Sequence, residues 1–408
     1  PFVSRPSLAY ITRLRFPLAL AVVFIHAMGA APRWQHASEL SLLDACKWLF
    51  SQTLAGVAVP TFFFLSGYLF FLGMSEARVT WAFFLAKWKR RLPTLLLPYL
   101  TWNVLAFLWR WGESGWGPFA ARWKREGGFD IFWSCHAIGR DHSNAFGLPL
   151  GHLAAPLDVP LWFLRDLMLT ILLAPVLYAL LRHRGVGLMV LGLAACCYVL
   201  GIWPHSAGLS LTAPFLFSVG ATFSLHRHDP VQSLRPFRFP VWGLSAVLLL
   251  FPLLLRGTAA EGLLPYSAPL ATLVSLPAVL LLAGEFDHRD VSLSSRTRWL
   301  AQSSFLIYAA HTVGLLRQTD LLLRALLPTT QGFWGPLLSA PAPHHSALSA
   351  ALRPLVASAP LVGPLHRHLA EITDNNSSSD LSGKEPHFDR YRRACPIVVL
   401  SSRAYTLQ

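Results

Sequence analysis

One histidine stands where an apolar helix should hold only hydrocarbon. The stretch RFPLALAVVFIHAMGA opens on Arg15 and carries His26 deep within it. An ionisable side chain inside a membrane span costs a few kcal/mol on insertion scales, so its presence is a functional-site hypothesis. Eleven residues make close to three helical turns, which places Arg15 and His26 on one helix face, about 17 Å apart along the axis. On that spacing Arg15 is expected at the interface and His26 near mid-membrane. The same residues also fit a histidine that hydrogen-bonds across a bundle and an arginine that sets topology. Three further groups carry polar chemistry in apolar surroundings. They are the basic run Lys87, Lys89, Arg90 and Arg91, the trio Trp162, Arg165 and Asp166, and the late pair Tyr308 and His311. Arg165 with Asp166 reads as a sugar contact at an outer mouth or as an interfacial pair, and His311 as an acceptor contact or a packing histidine. Ser66 and Gly67 in FFFLSGY read as helix-packing residues, since no base stands at helical spacing beside Ser66.

The elements that must position these groups are helices. A chain that is 54% hydrophobic and 13% charged, with mean hydropathy +0.46, cannot hide its apolar surface in one soluble core. The reading is an all-α, polytopic integral membrane bundle. Apolar segments of roughly spanning length fall at 16–31, 53–73, 92–109, 160–181, 186–203, 210–225, 240–255, 264–283 and 299–316, nine in all. A proline-broken tenth candidate lies within 332–370, and 371–408 has the composition of a disordered tail. Alternate loops carry 16 and 8 Lys and Arg, which predicts a cytoplasmic N-terminus. Topogenic charge and attraction to anionic membrane lipid account for the net charge of +14 without nucleic acid. The first span carries no convincing cleavage pattern and is expected to be retained.

The segment 111–159, rich in Trp, Gly, Arg and His, is long enough to be a functional outer lid. Its alternative is an amphipathic segment on the outer leaflet anchored by Trp116, Trp123 and Trp133. Cys46 and Cys135 share the predicted outer side and fit either a disulfide or two thiols. No P-loop, nucleophile elbow or zinc pattern is present in the sequence, so ATP-driven, serine-hydrolase and metal readings have no support.

Five blocks carry a resemblance: RFPLALAVVFIHA, GVAVPTFFFLSGYLFF (56–71), KWKRRLPTLLLPYLTWN (87–103), PLWFLRDLMLTILLAPVL (160–177) and SSFLIYAAH (303–311). In that order they resemble the signature blocks of the membrane-bound acyltransferase 3 family. The resemblance implies a ten-helix enzyme in the bacterial inner membrane, its transferase domain covering 1–331. Such an enzyme takes acetyl from acetyl-CoA on the cytoplasmic side and passes it to a hydroxyl of a cell-surface glycan or its lipid-linked precursor. It maps the family's first-helix arginine and histidine onto Arg15 and His26. An imidazole that titrates near neutrality can take the acceptor's proton as the oxygen attacks the thioester, or can carry the acyl group itself. Arg15 is then the group that holds the donor or stabilises the oxyanion.

CoA phosphates call for guanidinium or ammonium groups at the cytoplasmic face, where Lys87, Lys89, Arg90 and Arg91 stand. The family often places two arginines three apart there, whereas Arg91 is followed three residues later by Thr94. Trp162, Arg165, Asp166 and His311 are the acceptor-side candidates. Two other readings stay open: a transporter of a sugar or small acid on the same bundle, and an inactive copy whose C-terminal portion has been damaged.

Overall fold

A computed structural model describes residues 9–27, 42–74, 79–125, 127–143, 149–203, 208–255, 258, 260–288, 293–316 and 318–319. The expected tenth span and tail lie outside the described residues, as does the Cys135 side chain; Cys46 is a free thiol.

Thirteen α-helices follow in order among the described residues. They are α1 (Ala9–Ala27), α2 (Leu42–Trp48), α3 (Ala58–Phe71), α4 (Trp81–Ser114), α5 (Trp116–Arg125), α6 (Trp162–Leu172), α7 (Ala174–Leu181), α8 (Arg184–Val199), α9 (Thr212–Leu225), α10 (Pro230–Leu234), α11 (Arg238–Leu255), α12 (Leu264–His288) and α13 (Ser295–Ala310). The described part of each of the nine apolar segments is largely helical. The count of nine spans is not met, however, among the described residues. Five helical stretches are long and apolar enough to cross a membrane, and a sixth arises if α6 and α7, bent by 61°, count as one. The physical reason is length and charge. A span needs about 20 residues, whereas α8 has 16 and α9 has 14, and α13 opens on Arg296 and Arg298.

The interior is built on close helix approach. Helices α3 and α9 pack along each other, with Gly67 against the Phe217 carbonyl and, reciprocally, Gly220 against the Phe64 carbonyl, positions where any Cβ would overlap backbone. This is the small-residue packing that brings membrane helices together, and it places Gly67 in structure rather than chemistry. Around it Phe63, Phe64, Tyr68, Phe70, Phe71, Leu216 and Phe217 are almost fully buried. The outer faces are apolar too. α4 exposes Leu96, Leu97, Leu100 and Leu108, and α11 exposes Leu244, Val247, Leu250 and Leu254, which suits hydrocarbon as the surrounding solvent.

The described structure is nearly all helical, and the segment 111–159 adds one two-stranded sheet to it. α4 runs on to Ser114 and α5 follows, packing Phe119 and Trp123 against Phe107. Two antiparallel strands then form a hairpin, β1 (Cys135–Ser143) with β2 (Pro149–Ala155), in a register that pairs Cys135 with Ala155 and Asp141 with His152. The register shifts between Cys135 and Arg140 and again at Ser143.

Candidate functional site

α1 buries Tyr10, Ile11, Leu14, Leu18, Ala19 and Val22. Ile11, Arg15, Leu18, Val22 and His26 succeed one another at three- and four-residue steps, so by register the arginine and histidine belong to the face that packs. Arg15 is nevertheless exposed, and the packed stripe opens there. His26 lies in the last described turn of α1. α1 begins at Ala9, seven residues ahead of the apolar run.

The fold brings His26 to His311. Their ring centroids lie 5.0 Å apart with planes tilted by 47°, on α1 and at the end of α13, two helices packed side by side. His311 is fully buried. Its Nδ1 lies 2.6 Å from the Tyr308 carbonyl oxygen. A carbonyl only accepts, so Nδ1 carries the proton and a neutral His311 has its lone pair on Nε2. That Nε2 is buried and has no hydrogen-bond partner among the described residues. Two imidazoles in ring contact, one with a free lone pair, can take up, hold and pass on a proton.

Around this pair lie Tyr308, which the sequence singled out, together with Asn103, Asp158 and Thr312, the last two of which it gave little reason to notice. Asp158, 1% exposed, accepts through Oδ1 from the Thr312 hydroxyl at 2.6 Å, and its N–H donates to Asn103 Oδ1 at 3.2 Å. The Tyr308 hydroxyl donates to the Pro160 carbonyl. Asp158 stands just ahead of the span that begins at Val159, and burial pushes its carboxyl up to about 7, the Thr312 hydroxyl and the Arg110 guanidinium pulling the other way. Its signal in sequence was an acidic residue beside an apolar run, which by itself has many solvated explanations.

Arg165 and Asp166 are wholly buried and joined by an Nε–Oδ1 contact of 2.9 Å. Arg165 Nη1 also donates to the carbonyls of Trp133, at 2.7 Å, and Ala154, at 2.9 Å, while Asp166 Oδ2 accepts the Ser210 N–H at 2.9 Å. The guanidinium also lies over the Trp133 ring. These contacts clamp β2, the turn at Trp133 and the start of α9 onto α6. Trp162 is buried against Phe63.

Of the basic run, Lys87, Arg90 and Arg91 line one open cleft of about 480 Å³ together with Thr94, and Lys89 is not among its lining residues. Lys87 is tied back to the last turn of α3, donating to the Phe70 carbonyl at 2.9 Å and lying over the rings of Phe70 and Phe83. Arg90 is exposed and Arg91 partly so. Thr94, standing where the family commonly has arginine, gives its hydroxyl to the Arg91 carbonyl at 2.7 Å. The structure thus separates the candidates into an imidazole pair between α1 and α13, a buried ion pair at the head of α6, and a cationic cleft on α4.

A bundle of apolar helices, with its polar groups gathered between helices and its outward faces aliphatic, defines an integral membrane protein. The profile of the acyltransferase 3 family, described as an acyltransferase domain, matches residues 8–342, and the chain belongs to that family. It is also similar to the succinoglycan biosynthesis protein ExoH of Rhizobium meliloti (strain 1021), with 30% identity over 236 residues, 57% of this chain. The match spans 58% of that relative's length. No solved structure matches the chain.

Proposed function

We propose that this protein is a membrane O-acyltransferase that moves an acyl group, most simply acetyl from acetyl-CoA, onto a hydroxyl of a cell-surface glycan or its lipid-linked precursor. The observation that carries the reading is the contact between His26 and His311 across a 285-residue separation in sequence. Membership of the family supports acyl transfer, and the similarity to a succinoglycan biosynthesis protein supports a glycan acceptor.

In this reading His26 is the general base. The acceptor oxygen attacks the thioester carbonyl while its proton passes to the imidazole. The tetrahedral oxyanion collapses, the C–S bond breaks, and the departing thiolate takes the proton to leave as free CoA. His311, with its lone pair on Nε2, shares or relays that proton. Arg15, exposed on the same face of α1, offers a guanidinium for the donor or for the developing oxyanion. The cleft of Lys87, Arg90 and Arg91 receives the CoA phosphates, and the two arginines supply the planar donors that phosphate favours. Arg165 and Asp166 serve by holding the outer mouth in shape, and any contact they make with the acceptor is indirect. The protein resides in the bacterial inner membrane with its N-terminus in the cytoplasm, a placement supported by the loop charge bias.

The test is transfer of radiolabelled acetyl from acetyl-CoA to total surface glycan in membranes carrying the wild-type chain or equal amounts of His26→Ala. Incorporation by the wild type and none by the variant supports the reading. Equal incorporation removes His26 from the chemistry, and none by either moves the transporter reading forward.

A further inference from the structure

The helix that delivers His311 ends irregularly. From His311 to Leu315 it passes into a π turn in which Val313 (ψ 54°) and Gly314 (φ 93°) leave helical geometry. Gly314 abuts the Trp109 ring so closely that a Cβ there would overlap it. A turn of this kind forgoes regular backbone hydrogen bonds, and in apolar surroundings other groups must fix it.

Two side chains of this stretch reach the short segment ahead of α6. Tyr308 bonds the Pro160 carbonyl and Thr312 bonds Asp158, with His311 between them. Asp158 is in turn fixed from α4. Asn103 accepts the Asp158 N–H through Oδ1 and donates through Nδ2 to the Tyr99 carbonyl at 2.9 Å. The second carboxylate oxygen of Asp158, Oδ2, is buried without a hydrogen-bond partner among the described residues. Asp158 therefore links α4, through its N–H on Asn103, to the turn that follows His311, through its carboxylate on Thr312. A buried acid is costly unless its contacts serve a purpose.

We propose that Asp158 is a positioning residue for acyl transfer: by accepting the Thr312 hydroxyl it holds the turn that presents His311 to His26. The inference rests on the reading of His26 and His311 as the reacting centre. Thr312→Val removes the hydroxyl and preserves the shape, while Thr312→Ser keeps the hydroxyl and loses only a methyl.

The experiment uses the full chain purified in detergent, acetyl-CoA as donor and glycan released from the cell surface as acceptor. Free thiol is followed to obtain kcat and the KM for acetyl-CoA, and the folded amount is set by size-exclusion chromatography. The expected result for Thr312→Val is a loss of about tenfold to a hundredfold in kcat, the scale on which misplacement of a reacting group acts. KM for acetyl-CoA stays within about twofold and Thr312→Ser recovers most of the rate, a split that general loosening of the fold would not give. Should Thr312→Val not be recovered folded, Thr312→Ala against Thr312→Ser supplies the same comparison. Wild-type kcat without the hydroxyl, or a loss that serine does not rescue, overturns the proposal. His26→Ala is run alongside. If it is inactive while Thr312→Val turns over normally, the reaction stands and this inference falls; if it is fully active, both fall.

Discussion

Replacing Arg165 by methionine should unfold the protein before it affects substrate recognition. The guanidinium makes one contact to Asp166 and two to backbone carbonyls, all between 2.7 and 2.9 Å and all out of water. Methionine fills a similar volume but leaves the Asp166 carboxylate with only the Ser210 N–H and leaves the Trp133 and Ala154 carbonyls without this donor. Removing one partner of a buried pair costs about 3–5 kcal/mol, most of it the stranded charge, and at 1.4 kcal/mol per decade that is roughly two to four powers of ten in the folding equilibrium. Arg165→Met with Asp166→Leu should recover much of the loss, since the pair removed together leaves fewer charges stranded. The assay is equilibrium unfolding in mixed micelles by added SDS, followed by tryptophan fluorescence. An Arg165→Met variant within about 1 kcal/mol of wild type that instead raised KM for the acceptor would refute the reasoning and make this pair a ligand site.

Three further outcomes follow from the same contacts. Gly220→Val should destabilise the α3–α9 contact by about 1–3 kcal/mol or more, the cost of overpacking, because its side chain would overlap the Phe64 carbonyl; the same SDS titration reads it. Arg90→Ala and Arg91→Ala should each raise KM for acetyl-CoA by about tenfold, in a manner that added salt weakens, whereas Lys89→Ala, outside the cleft, should leave it unchanged. Asp158 gives a pH signature. Its folded carboxyl titrates at about 7, above the roughly 3.9 of an unfolded aspartate. The folded state thus binds the extra proton between these values, and stability falls as pH rises from about 4, with the loss complete above about 7. Thermal midpoints at pH 5.5 and 8 should fall further apart in wild type than in Asp158→Asn, and equal separations would count against a buried, proton-binding Asp158.

What could be read from the sequence was whatever depends on neighbouring residues. Apolar runs announce helices, and a lone His26 among them is conspicuous because hydrocarbon has no use for it. The count of nine spans is not confirmed among the described residues, where α8 and α9 are shorter than the corresponding apolar runs. The hairpin of β1 and β2 escaped because CHAIGRDHS lacks the alternation that marks a strand, and its pairing is irregular. Long-range partners were the least visible. Arg165 and Asp166 are conspicuous as intramembrane charges, yet their partners Trp133, Ala154 and Ser210 carry no such mark. The meeting of His26 with His311 is set by how α1 lies along α13, and Asp158 acquires its meaning only through Thr312.

The central claim is that His26 and His311 form one reacting centre. Its most direct test is acetyl transfer from acetyl-CoA to surface glycan by equal amounts of wild type, His26→Ala, His311→Ala and the double variant. Residues that act as a unit are not additive. The account predicts that His26→Ala abolishes transfer, that His311→Ala greatly reduces it, and that the double variant is no worse than His26→Ala alone. Full transfer by His26→Ala would contradict it.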